Sequence, residues 1–280
     1  MSRDLDLGNL NGPVLVFGGP CGNLEATRAV LAEAERRGIP PHRMICTGDI
    51  AAYCADPQGT ADLLRSLEIP IVRGNCEISL SQGSDGCGCG FKDGGACHLL
   101  SRDWYAYCVD NLEPGTKAWM GTLPRRIGFS MAGKKFVALH GGATEVSRYI
   151  FPSTSRQDKR AEMKEAGADI VLAGHSGLPF IQEIGDGIWF NPGALGMPAN
   201  DGTPRVWFGL IVPFESKIRF DTHALEYDYQ KAAARMAEKK LPREYATALA
   251  AGLWPSLDVL PSREKESTGT PLTPATILKS

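Results

Sequence analysis

No apolar run in this 280-residue sequence approaches the roughly 18 residues that a membrane span needs. The stretch from Met1 to Gly12 is polar and acidic and lacks the apolar core of a secretory signal. Both absences point to a cytoplasmic protein with no membrane partner. Net charge is small as well. The 30 Lys and Arg against 32 Asp and Glu leave −2, so there is no global electrostatic case for binding nucleic acid or a membrane surface. No internal repeat is visible. No Cys-x-x-Cys pair occurs, so a standard zinc-finger spacing is absent. The Gly-rich stretch after Cys76 lacks the Lys-Ser/Thr ending of a P-loop, which excludes it as that kind of phosphate cradle.

What remains is ordinary globular composition, 43% hydrophobic and 22% charged. The length suits one large α/β domain, or one domain with appendages. Cysteine is the residue in excess, with eight copies. In a reducing compartment these are more often thiols, metal ligands or redox groups than structural disulfides. Cys76, Cys87, Cys89 and Cys97 crowd one Gly-rich stretch, whereas Cys21, Cys46, Cys54 and Cys108 are dispersed.

Periodicity places the elements. Val14 to Phe17 is a short apolar run that stops at Gly18-Gly19-Pro20, as a buried strand would. From Asn23 the period becomes helical, with Leu24, Thr27, Val30, Leu31 and Ala34 on one face, Asn23 as N-cap and Gly38 as stop. Met44 to Cys46 reads as a strand running into Thr47-Gly48-Asp49. Asp56-Pro57 opens a second helix, and Ile69 to Val72 is a further short strand ending at Gly74-Asn75. This β-α-β-α-β order implies parallel strands, and ligands then gather at the carboxyl ends of the strands. Cys21, Asp49, Asn75 and Cys76 all stand at such ends. Arg125 to Ser130 and Lys135 to Leu139 read as an antiparallel pair ending at His140-Gly141. Ile170 to Ala173 ends at Gly174-His175, and Ile188 to Phe190 leads into Asn191-Pro192-Gly193.

Six motifs now line up in order. Phe17-Gly-Gly-Pro-Cys-Gly-Asn23, Gly48-Asp49, Gly74-Asn75-Cys76-Glu77, His140-Gly141, Gly174-His175-Ser176-Gly177 and Asn191-Pro192-Gly193 together resemble the calcineurin-like metallophosphoesterase superfamily, in its bacterial single-domain branch. The likeness spans Val14 to Val212. It implies an α/β fold in which a two-sheet β-sandwich is flanked by helices, in αββα layers. On that basis residues 1–12 read as an N-terminal extension and 13–225 as the domain, with a Cys/Gly-rich insertion at 76–98. Residues 226–260 read as C-terminal helices. Residues 261–280, polar and rich in Pro, Thr and Ser, read as a disordered tail.

The resemblance also implies a metal site, and this sequence keeps half of it. One ligand set is complete: Asp49, Asn75, His140 and His175. The other is not. Gly19 and Cys21 stand where the family has Asp and His, and Gly177 replaces a further His. Cys76 stands where the family has the histidine that protonates the leaving group. The intact set suits manganese, zinc or iron(II). The implied substrate is a phosphorylated small molecule or nucleotide carrying a phosphomonoester, phosphodiester or phosphoanhydride.

The cysteines leave two readings open. Cys21 and Cys76 could refill the vacancy as ligands of a second metal or iron–sulfur cluster, or as a redox pair; they could equally be small buried residues. Cys87, Cys89 and Cys97 could form a second thiolate site or a zinc knot that pins their loop. A non-hydrolytic metal-binding or redox protein on the same scaffold is thus the alternative to an enzyme. Arg73, just before Gly74-Asn75, could reach an anionic substrate or be a solvated charge. Trp104, Tyr105 and Tyr107 read mainly as packing.

Overall fold

Val14 and Val16 point to one side of their strand and Leu15 and Phe17 to the other, yet all four are completely buried. A strand apolar on both faces belongs inside a layered structure. The computed structural model, which describes residues 4–91 and 94–280, has those layers.

The strands are β1 (Leu5–Asn9), β2 (Val14–Phe17), β3 (Met44–Cys46), β4 (Ile127–Met131), β5 (Lys134–Leu139), β6 (Ile170–Ala173), β7 (Pro179–Ile184), β8 (Gly187–Pro192), β9 (Val206–Phe214), β10 (Lys217–Leu225) and β11 (Thr276–Lys279). One sheet runs β1-β4-β5-β6-β8-β7 and the other β11-β10-β9-β2-β3. The core between them holds Val14, Val16, Phe129, Phe136, Phe190 and Phe220. Phe136 stacks on Phe129 at 4.4 Å between ring centres.

Helices cover both outer faces. Leu15, Phe17, Met44 and Cys46 face α1 (Leu24–Arg36), α2 (Pro57–Ser66), α3 (Asn75–Gln82), α4 (Ala96–Asn111) and α5 (Pro114–Thr122). Val137, Val171 and Trp189 pack on the other side with α6 (Arg156–Ala166), and α7 (Tyr229–Glu238) lies against α1. Two short helices, α8 (Arg243–Ala251) and α9 (Ser262–Glu266), follow. The sequence-based layer order is therefore observed. Asn23 caps α1 by accepting from Ala26 N–H at 3.1 Å, and Gly38 follows in the left-handed region at φ 67°. No helix among the described residues is long and apolar enough to cross a membrane.

Four local expectations need correction. Ile69 to Val72 is reduced to a single parallel bridge, Cys46 to Ile71. The first part of the Cys/Gly-rich insertion is helical. Glu77 reaches back to Gly74 N–H to start α3, and left-handed Gly83 ends it. The N-terminal extension carries β1, which pairs in parallel with β4 from Leu5 opposite Ile127.

The tail is also ordered. Strand β11 pairs antiparallel with β10, from Ile218 opposite Lys279 to Asp221 opposite Thr276. Composition misleads there because the open edge of β10 supplies the hydrogen bonds, and one inward side chain, Ile277, joins the inter-sheet core. Glu264 fastens the same tail by accepting from Ser153 N–H at 2.8 Å and Ser153 Oγ–H at 2.7 Å. Deleting residues 271–280 should therefore lower the melting temperature by about 3–6 °C, or roughly 1–2 kcal/mol. Calorimetry of the truncated chain checks this, and an unchanged midpoint would show that β11 adds nothing to stability.

Candidate metal centre

Strands β3, β5 and β6 and the short segment ending at Val72 finish at the same edge of the sandwich, so the loops after them converge. Two of those loops hold non-glycine residues in the left-handed region, Asp49 at φ 57° and His175 at φ 60°. Each such residue costs on the order of 1–3 kcal/mol, a strain that clusters at working sites. Gly48 makes the approach feasible. A Cβ there would stand 2.8 Å from Gly74 N and 2.9 Å from His140 Nδ1, closer than any side chain tolerates.

The hydrogen bonds fix which atoms face inward. His140 Nδ1 lies 2.7 Å from the Thr47 carbonyl. A carbonyl only accepts, so Nδ1 carries the proton and Nε2 turns a lone pair to the centre. Asn75 Nδ2 donates to the Cys87 carbonyl at 2.9 Å, which aims Oδ1 at His140 Nε2, 2.9 Å away. Asp49 Oδ2 sits 3.2 Å and His175 Nδ1 3.1 Å from that same Nε2. Asp49 Oδ2, Asn75 Oδ1 and His175 Nδ1 thus gather around the unprotonated His140 Nε2, and His175 is the one member whose tautomer can place a proton among them. With that proton on His175 Nε2, four lone-pair atoms meet, the arrangement a metal ion takes up.

The ionisation tendencies agree. Burial lowers His140, but the Asp49 carboxylate and the Thr47 carbonyl together lift it above its ordinary value. Burial would raise Asp49, yet the two histidines hold it down at about 2. Burial and the neighbouring His140 depress His175 to about 3, so it stays a neutral imidazole, with one nitrogen free to ligate, through the neutral range. His175 Nε2 is buried and makes no hydrogen bond. One carboxylate, one amide oxygen and two imidazoles fit zinc, manganese or iron(II). Among the described residues, no second group of three or more His, Cys, Asp or Glu side chains gathers as tightly as Asp49, His140 and His175, whose ligand atoms lie within 4.8 Å of one another.

Two residues named in the sequence motifs, but given no role there, hold this set in place. Glu77 is fully buried and accepts from the N–H groups of Gly74 at 2.8 Å, Asp49 at 2.9 Å and Ile50 at 2.7 Å. Burial and the Asp49 charge raise its pKa to about 7, against the pull of the backbone donors. Its spacing from Gly74, three residues into a helix, is a capping-box signature. Asn191 donates to the Gly174 carbonyl and to Ser176 Oγ, both at 2.9 Å, and so brackets His175.

The cysteines do not join the cluster. Cys21 is buried and lines a cavity beside it; burial and Asp49 push its thiol up. Cys76 is 1% exposed and does not line the cavity. Its Sγ meets Asn75 Nδ2 at 3.6 Å instead. Cys89 Sγ–H points at the Cys87 backbone carbonyl, 3.9 Å away, and Asn75 Nδ2 touches Cys89 Sγ at 3.3 Å. Asn75 thus stands between Cys76 and Cys89, whereas Cys97 lies on the cavity wall beside Ser256. Among the described residues Cys87, Cys89 and Cys97, neighbours in sequence, do not gather as a ligand group. Arg73 also faces elsewhere. Its Nη1 donates to the Gly121 carbonyl at 2.9 Å, at the end of α5, and it does not line the cavity. Trp104 and Tyr105 are buried packing residues, as their spacing implied. Tyr149, which the motifs gave no reason to notice, lies over His175 at 4.2 Å between ring centres.

The profile of the calcineurin-like phosphoesterase superfamily domain matches residues 22–211. The chain belongs to that superfamily. An uncharacterized protein of Methanocaldococcus jannaschii is 27% identical over 237 residues, which is 79% of this chain and 90% of that protein. A metallophosphoesterase from Sphaerobacter thermophilus has the same fold, with a TM-score of 0.66 and 23% identity over 87% of this chain and 100% of its own. A hypothetical protein from Pyrococcus horikoshii gives 0.72 and 18%, over 86% and 99%. The superfamily's general chemistry is metal-dependent phosphoester hydrolysis, and the Asp49, His140 and His175 cluster is the metal site that it implies.

Glu77→Ala should cost about 3 kcal/mol or more, because three buried N–H groups lose their acceptor at about 1–3 kcal/mol each. Urea denaturation measures this. Manganese affinity, followed by calorimetric titration, should fall in the same variant, since the Asp49 loop loses its anchor.

Proposed function

We propose that the protein is a hydrolase of phosphoester bonds that works with one divalent metal ion held by Asp49, Asn75, His140 and His175. One observation carries this reading: a carboxylate oxygen, an amide oxygen and two imidazole nitrogens, all able to ligate a metal, converge at the strand ends. A divalent cation bound there supplies Lewis acidity to a phosphoryl oxygen and lowers the pKa of water. The chain's own residues do the rest. Thr47 and Cys87 orient His140 and Asn75 through their carbonyls, so both ligands are set before any substrate arrives. Asp49 contributes the single negative charge among the four donors.

At the position of the family's second metal, Gly19, Cys21 and Gly177 stand in place of an Asp and two His. Gly177 packs against Trp254, whose ring lies 3.1 Å from where a Cβ would be, and Gly19 offers no side chain. This supports a mononuclear centre. The expected result is turnover of bis(p-nitrophenyl) phosphate with added manganese, zinc or iron(II). Asp49→Ala and His175→Ala should lower kcat at least about a hundredfold, beyond the losses typical of residues behind the ligands. Wild-type protein inert with all three metals would defeat the hydrolytic reading.

A second reading rests on a different observation, the placing of the Cys76 and Cys89 thiols on either side of Asn75 Nδ2, with Cys87 beside them. In it the three sulfurs hold a thiophilic metal or an iron–sulfur cluster, and the scaffold is a sensor or redox protein. Metal and sulfide analysis of anaerobically purified protein separates the two. Sulfide, or metal lost in Cys89→Ser, supports the thiolate reading; one metal without sulfide, unchanged in Cys89→Ser, leaves only the N/O centre.

A further inference from the structure

Beside the four donors lies a cavity of about 100 Å³. Its floor is where the second metal's ligands are missing, at Gly19, Cys21 and Gly177. Its walls are aromatic. Tyr149 comes from the loop after β5, Tyr245 from α8, Trp254 from the segment after α8, and Tyr53 from the loop after β3. The tyrosines hold one another in place. Tyr53 stacks on Tyr245 at 4.7 Å and meets Trp104 edge-on at 4.9 Å. Trp254 is fixed by its Nε1–H, which donates to the Pro198 carbonyl at 2.7 Å. The volume is of the order that accommodates one six-membered ring, since an apolar cavity of about 150 Å³ takes up benzene.

Two absences among the described residues narrow the ligand further. No lysine or arginine lines the cavity. Arg148, on the neighbouring loop, is committed to Glu162 and Asp158. Among the described residues, then, nothing at the cavity neutralises the second negative charge of a phosphomonoester. The cavity also offers no group suited to protonating a departing alkoxide. His140 and His175 are engaged as ligands of the metal set, and the other proton carriers of the described lining are thiols, phenols and serine hydroxyls, all weak acids. A leaving group that departs here must be stable as an anion.

We propose that this cavity receives the aryl leaving group of a singly charged phosphodiester, so that the substrate is an ester of a phenol-type alcohol. The proposal rests on the hydrolytic reading above and narrows it to a substrate class. A water oxygen bonds to phosphorus and the bond from phosphorus to the aryl oxygen breaks. That oxygen keeps the electron pair and leaves as phenolate. The remaining product is a phosphomonoester monoanion, and one proton passes to solvent. Edge and face contacts with Tyr53, Tyr149 and Trp254 hold the ring in place.

Two measurements on the manganese-loaded full chain test this. The first compares turnover of p-nitrophenyl, p-chlorophenyl and phenyl methyl phosphates with that of dimethyl phosphate. The value of kcat/KM should fall about tenfold or more from the nitrophenyl to the phenyl ester, because no acid assists departure, and the alkyl diester should give no turnover. The second follows tryptophan fluorescence on binding. Diphenyl phosphate should bind about tenfold or more tighter than diethyl phosphate, as burial of one ring predicts. Ala194→Leu, which fills the cavity without removing a packed side chain, should abolish that preference, and Trp254→Ala should weaken it.

Equal rates for aryl and alkyl esters, or equal binding of diethyl and diphenyl phosphate with turnover intact, overturn the aryl proposal and leave the hydrolytic reading standing. Tight, Ala194→Leu-sensitive binding of diphenyl phosphate without turnover of any ester supports the ring site and removes the hydrolytic reading.

Discussion

The Glu77 carboxylate is the fastening on which the rest of the centre depends. Its oxygens gather N–H groups from two loops, the one carrying Asp49 and the one starting α3 at Asn75. Without it, Asp49 would have no reason to remain in the left-handed region, and Asn75 would lose its register with His140. Backbone N–H groups are strong obligatory donors, so three of them converging on one buried carboxylate fix both loops at once. Asn191 does for His175 what Glu77 does for Asp49, from the opposite sheet. Each sheet thus contributes ligands together with its own clamp.

Much of this was legible in the residues, and the reasons differ by element. Strand β2 and helix α1 follow from a short apolar run, a change of period, and cap residues at Asn23 and Gly38, all local signals. Asp49, Asn75, His140 and His175 could be named because each ends a strand in a motif of fixed order. Their convergence is then a property of the topology. The tail was misread because composition reports how much apolar surface a segment can bury, not whether an open sheet edge awaits it. Ile277 is one residue, too few to register in a Pro- and Thr-rich stretch, yet it sits in the inter-sheet core.

The cysteines mark the limit of motif reasoning. Cys76 occupies a position where the family places histidine, and sequence alone expects its side chain to face the substrate. The structure buries it outside the cavity lining, because α3 begins at Asn75 and the loop bearing Cys87 and Cys89 folds back over that first turn. A side chain's direction at a helix start depends on what packs over it, and that partner lies more than ten residues away. Tyr149 was invisible for the same reason. Nothing in its neighbourhood marks a site, and only the path of the loop after β5 brings it over His175.

The cavity wall draws on distant parts of the chain. All four donors fall between residues 49 and 175, inside the stretch that carries the superfamily pattern, whereas Tyr245 and Trp254 come from beyond residue 211, where that pattern ends. The wall is therefore shared, with Tyr53 and Tyr149 coming from inside that stretch. Substitutions in the C-terminal arm can reshape half of the aromatic wall while leaving every metal-set residue and both clamps untouched.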